Sequence, residues 1–133
     1  MIDHGECCET VVAGNSLIVF DKLRKRVTQY DCPLDPLQTV KSELPLPPNY
    51  GENKPYLNDY ALAAAGKYQV IMTGGCYTNY KHLNSALILD LVSQSWQELP
   101  NLKHERARHV ACATEDWVIN FGGCSSNAFE NFA

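Results

Sequence analysis

Apolar residues in this chain come in short runs, not in a helical stripe. Leu17-Ile18-Val19-Phe20, Val70-Ile71-Met72 and Trp117-Val118-Ile119 are rich in β-branched side chains, and Ala86 to Leu91 forms a further run. Such runs fit strands buried in a sheet. No segment sustains a 3.6-residue apolar period, and Gly, Pro, Asn and Asp interrupt the chain at short intervals. Gly66-Lys67 and Glu115-Asp116 lie between paired runs and are expected to form tight hairpin turns. Leu62-Ala63-Ala64-Ala65 has high helix propensity, but its counterpart His109 to Ala113 does not. Propensity is a weak prior, so both are expected to be strands. Their small side chains suit a crowded innermost strand where neighbouring units converge.

The chain repeats itself. Tyr60 to Asn79 and Arg108 to Asn127 align at an offset of 48 residues with no gap. Identical pairs include Val70/Val118, Ile71/Ile119, Gly74/Gly122, Gly75/Gly123, Cys76/Cys124 and Asn79/Asn127. Thr10 to Asp21 is a fainter copy, with Asp21-Lys22 where the later copies carry Gly-Gly. Glu43-Leu44-Pro45 recurs as Glu98-Leu99-Pro100. In the clearest unit four strands are expected, at 61–65, 68–73, 86–92 and 95–99. Four-stranded repeats of about fifty residues indicate β-propeller blades. Pro45, Pro47 and Pro48 break strand pairing, and Leu46 to Asn58 reads as a connection between units.

These residues resemble the kelch repeat family. Gly74-Gly75 ends a second strand, Leu83-Asn84-Ser85 opens a third, and Leu89-Asp90 stands where kelch blades usually have Tyr-Asp. Trp96 and Leu99-Pro100 follow, Arg106-x-x-His109 opens the next unit, and Gly122-Gly123 closes it. The resemblance implies an all-β fold: a kelch-type β-propeller fragment of about two and a half four-stranded blades, the ring incomplete. The units are a degenerate blade at about 9–45, a blade at about 60–100 and a partial blade at about 108–133. In the first unit Tyr30-Asp31 fits, whereas the double glycine and the tryptophan are missing. Trp96 is expected to pack between adjacent blades, with an N–H that needs an acceptor. Arg106 and His109 are expected to hydrogen-bond carbonyls at the blade junction. Because isolated repeats bury little surface, the chain is expected to be a piece of a longer protein.

Composition narrows the function classes. With 133 residues, 45% hydrophobic and 20% charged, the chain has the make-up of one globular domain. A net charge of −4 argues against a duplex nucleic-acid partner. There is no eighteen-residue apolar stretch, so no membrane role is expected. The acidic start Met1-Ile2-Asp3-His4-Gly5-Glu6 is unlike a secretory signal, so the expected location is cytoplasmic. The six cysteines, Cys7, Cys8, Cys32, Cys76, Cys112 and Cys124, contain no C-x-x-C spacing. They are expected to be free, mostly buried thiols without a metal. No cofactor is expected.

The resemblance also implies a function. Kelch propellers often serve as substrate-recognition modules of cullin-based ubiquitin ligase adaptors, where a BTB domain absent from this sequence binds the cullin. By that resemblance Arg106 matches a substrate-contacting position and would pair with the carboxylate of a possibly acidic protein or peptide. The structural role at the blade junction is its other reading. Tyr77, Asn79 and Tyr80 lie in the next candidate loop, with tyrosines suited to anchoring a partner. Gly74, Gly75, Asp90, Trp96, His109, Gly122 and Gly123 are structural motif residues. A second reading is a cytoskeletal, actin-binding scaffold. The basic run Lys22-Leu23-Arg24-Lys25-Arg26 could touch an acidic filament or form a solvated hairpin tip. A third is a kelch-type enzyme such as a copper oxidase. Cys76-Tyr77 and His4, His82, His104 and His109 supply the residue types without a recognisable arrangement, so no catalytic residue is assigned.

Overall fold

The computed structural model describes residues 8–31, 39–51 and 53–125. Within them every regular element is a strand. They are β1 (Cys8–Ala13), β2 (Ser16–Asp21), β3 (Arg26–Asp31), β4 (Val40–Leu44), β5 (Leu57–Asn58), β6 (Ala61–Ala65), β7 (Gln69–Thr73), β8 (Cys76–Tyr77), β9 (Ala86–Asp90), β10 (Ser95–Leu99), β11 (Val110–Ala113) and β12 (Val118–Phe121). They form two four-stranded antiparallel sheets, β1-β2-β3-β4 and β6-β7-β9-β10, and two strand pairs, β11-β12 and β5-β8. The sheets do not close into a barrel. Cys7, Cys32, His4, Asn127 and the end of the third unit lie outside the described residues.

The hydrophobic core sits between the two four-stranded sheets. Ile18 and Phe20 of β2 alternate onto it, as do Val70 and Met72 of β7 and Leu87 and Leu89 of β9. The alanine-rich β6 packs against both β1 and β11. Its burial alternates, with Ala61, Ala63 and Ala65 inside, so a strand and not a helix satisfies the run. Trp96 joins the sheets: its indole N–H donates to the Pro45 carbonyl at 2.8 Å, and its ring meets the Phe20 ring edge-on at 6.2 Å. Tyr50, from the connection between the sheets, is fully buried and donates its hydroxyl to the Lys22 carbonyl. Burial pushes its phenol up to about 12.

Two turns differ from expectation. The β6–β7 hairpin has three loop residues, 66–68, so β7 begins at Gln69 and not at residue 68. The third strand of this sheet ends at Asp90 and not at residue 92. There the Asp90 carboxylate accepts the backbone N–H groups of Val92 at 2.8 Å and Ser93 at 3.0 Å, which turns the chain into β10. The missing double glycine of the first unit also has a physical reason. β2 passes directly into β3 through a four-residue hairpin, Asp21 facing Arg26, whereas after β7 the chain makes a long excursion over 74–85 before β9.

The basic run forms that β2–β3 hairpin tip, and its cations are engaged within the chain. Lys22 pairs with Glu9 at 3.1 Å, Arg24 with Asp21 at 2.8 Å and Arg26 with Glu43 at 3.9 Å. The Lys25 ammonium donates to the carbonyls of Gly51 and Lys54 and lies 4.9 Å from the Tyr56 ring centre. The cysteines correct the expectation of burial. Cys8, Cys76, Cys112 and Cys124 are free thiols, but Cys112 is exposed and the other three are only half-buried. Among the described residues, no helix is long and apolar enough to cross a membrane.

Candidate functional site

Two structures meet where the second sheet adjoins β11–β12: a buried polar junction and an open cleft. The junction is built on the double glycines. Gly74 has φ +61°, and a Cβ there would collide with the Arg106 carbonyl and the His109 ring. Gly123 has φ +94°, and a Cβ would lie 2.6 Å from the Ala107 carbonyl. Only glycine lets these backbones approach so closely. The approach places the Gly75 N–H on the Arg106 carbonyl at 2.9 Å and pairs Ala107 with Cys124 by two bonds of 2.9 Å. Gly122, at φ +68°, completes the second double glycine.

Arg106 and His109 are both buried here. Arg106, 7% exposed, points its guanidinium at the carbonyls of Asn120 and Gly122 at 3.4 and 3.3 Å. The His109 Nε2 meets the Thr73 hydroxyl at 2.9 Å, and that hydroxyl donates onward to the Asn120 side-chain oxygen at 2.7 Å. A hydroxyl has one hydrogen, so Thr73 accepts here and His109 Nε2 carries a hydrogen. Burial, helped by the Arg106 charge, lowers its pKa to about 4.

The cleft, of about 310 Å³, is lined by Asp59, Cys76, Tyr80, His82, Arg108 and Cys124 among others. It is assembled by β5 pairing with β8, Leu57 opposite Tyr77 and Asn58 opposite Cys76. Among the described residues, five non-glycine residues have left-handed backbone. Two of them, Lys25 and Gln94, end four-residue hairpin loops. The other three, Asp59 at φ +58°, Tyr80 at +65° and Arg108 at +56°, all line this cleft. Each such residue costs about 1 kcal/mol or more, and strain of this kind gathers at functional sites. Arg108 is held by its N–H on the Asp59 carbonyl at 2.9 Å and its guanidinium on the Asp59 carboxylate at 3.3 Å.

The candidate partner-binding residues separate in this geometry. Tyr80 is 83% exposed at the tip of a loop closed by bonds from its own N–H to the Tyr77 carbonyl and from the Tyr77 N–H to the Lys81 carbonyl. Asn79, also exposed, accepts the Lys81 N–H at 3.2 Å. Tyr77 points inward, 9% exposed, donating its hydroxyl to the Asn49 carbonyl at 2.7 Å, and burial raises its pKa. Arg106 also faces inward. The exposed arginine at this place is Arg108, its side chain 76% exposed, which the repeat pattern did not single out. The recurrence of Gly-Gly-Cys was the available signal that Cys76 and Cys124 hold equivalent places. Nothing in the sequence pointed to Asp59 or to the orientation of His82.

A second exposed feature lies on β11–β12. Val110, Ile119, Phe121 and the neighbouring Trp117, 72% exposed, offer apolar surface to solvent. Ile71, the repeat counterpart of Ile119, is buried.

No protein-family model matches this chain. Among curated proteins, an F-box/kelch-repeat protein of Arabidopsis thaliana is 28% identical over 89 residues, 67% of this chain. The chain spans 23% of that protein's length, so it compares with about a quarter of it. The similarity suggests kelch-type repeats, in keeping with the all-β architecture of antiparallel sheets.

Proposed function

We propose that this chain is a protein-interaction module of the kelch-repeat kind that captures a partner segment at the cleft beside Tyr80. The observation that supports this most is the convergence of three left-handed residues, Asp59, Tyr80 and Arg108, on one open cleft. Strain of this kind clusters at functional sites, and an exposed tyrosine on a pinned loop is a suitable anchor. Lys81 and Arg108 put positive charge beside it, which favours an acidic peptide. Similarity to an F-box/kelch-repeat protein supports an interaction role over a catalytic one. On this reading the chain acts as the substrate-recognition part of a longer ubiquitin ligase adaptor, whose ligase-binding domain lies elsewhere. The apolar face of β11–β12 supports that larger setting, because a further unit of the same type would cover it.

The test is a selection of peptides from a randomised display library on the immobilised chain, followed by affinity measurement. Enriched peptides should be acidic, and Tyr80→Ala should weaken them at least tenfold while leaving the melting temperature unchanged. Failure to enrich any peptide, or binding indifferent to Tyr80→Ala, would refute the proposal. The internal pairing of the Lys22 to Arg26 cations gives the filament-binding reading no matching support.

A further inference from the structure

The cleft holds a histidine between two thiols. The His82 Nδ1 lies 3.2 Å from the Tyr80 carbonyl and 3.7 Å from the Cys76 sulfur, and its Nε2 lies 3.9 Å from the Cys124 sulfur. A carbonyl oxygen only accepts, so in the neutral ring Nδ1 carries the hydrogen. The lone pair is then on Nε2, facing Cys124. This is the order of a nucleophile, its base and the group that orients the base.

The two thiols do not have the same prospects. The Cys76 S–H donates to the Tyr77 carbonyl at 3.3 Å, and burial, with the nearby Asp59 and Cys124, pushes that thiol up. The Cys124 S–H also has a carbonyl acceptor, that of Ala107, but at the longer distance of 3.8 Å. Both are free thiols.

We propose that Cys124 is a covalent modification site for small soft carbon electrophiles, with His82 taking its proton. With a haloacetamide the step balances: the Cys124 sulfur forms a bond to the methylene carbon, the carbon–halogen bond breaks, halide leaves with the electron pair, and the thiol proton passes to His82 Nε2. The charged and titratable groups facing the sulfur across the cleft are Asp59, Cys76, Tyr80, His82 and Arg108. Arg108 is paired with Asp59 there. This site does not depend on whether a protein partner binds the same cleft.

Iodoacetamide labelling of the folded chain, followed residue by residue with peptide mass spectrometry, tests it. Cys112 is the internal reference, since it is exposed and has no histidine partner among the described residues. At pH 7 Cys124 should label at least ten times faster than Cys112, although it is less exposed, and the ratio should fall to about one in guanidinium. His82→Gln should slow Cys124 at least fivefold and leave Cys112 unchanged. Cys124 labelling no faster than Cys112 in the wild-type chain, or an unchanged ratio in a folded His82→Gln variant, would overturn the proposal. The folded-to-denatured comparison on the wild-type chain decides the matter even if that variant does not fold.

Discussion

The Thr73 hydroxyl and the His109 imidazole meet at 2.9 Å across the junction between the second sheet and β11–β12. The bond requires a hydrogen on Nε2, because Thr73 spends its own hydrogen on Asn120. The other ring nitrogen, Nδ1, is buried without a partner, so protonation would place an unsatisfied N–H in the interior.

The junction should therefore weaken in acid. His109 has a pKa of about 4 in the folded protein against 6.5 when unfolded. The unfolded chain binds the proton more readily, so stability is full above about pH 6.5, declines as pH falls, and the loss is complete below about pH 4. The loss should be roughly 3 kcal/mol. His109→Gln keeps an N–H for Thr73 but does not titrate. Urea unfolding at several pH values should show a shallower decline for that variant between pH 6.5 and 4. Parallel curves would contradict the assignment.

Gly74→Ala should destabilise the fold by about 2–4 kcal/mol, since it combines a left-handed backbone with a collision against the Arg106 carbonyl. Gly51→Ala is the control: no atom lies within 4 Å of the Cβ it would add. Its effect should stay within about 0.5 kcal/mol. Chemical denaturation of the two variants side by side measures the difference.

Asp90→Ala should cost about 1 kcal/mol by releasing the two N–H groups that turn β9 into β10. Asp90→Asn retains an acceptor oxygen and should be nearly neutral. Trp96→Phe keeps a ring against Phe20 but removes the donor to Pro45, and should also cost about 1 kcal/mol. Thermal melts of the three variants check these values.

The strands were legible because their signals are local. β-branched runs marked β2 and β7, and the repeated double glycine marked where chains leave the second strand of a unit. Sequence patterns did not reveal β5 and β8, because a two-residue strand has no period to detect. That omission hid the cleft. The β5–β8 pair is what turns Tyr77 inward to Asn49 and leaves Tyr80 at the tip, so two tyrosines of one loop acquire opposite exposures. Arg106 and Arg108 separate in the same way. The repeat motif marked Arg106 alone for carboxylate pairing, but the packing of the junction buries Arg106 and leaves Arg108 facing solvent.

The most direct measurement of the interaction proposal is a titration of the isotopically labelled chain with an acidic peptide from the display selection, followed by backbone amide chemical shifts. Shifts should concentrate on Asp59, Thr78 to Lys81 and Arg108, the residues that hold and surround the cleft. Shifts confined to the Lys22 to Arg26 hairpin or to the exposed face of β11–β12 would place the binding surface elsewhere and contradict the role assigned to Tyr80.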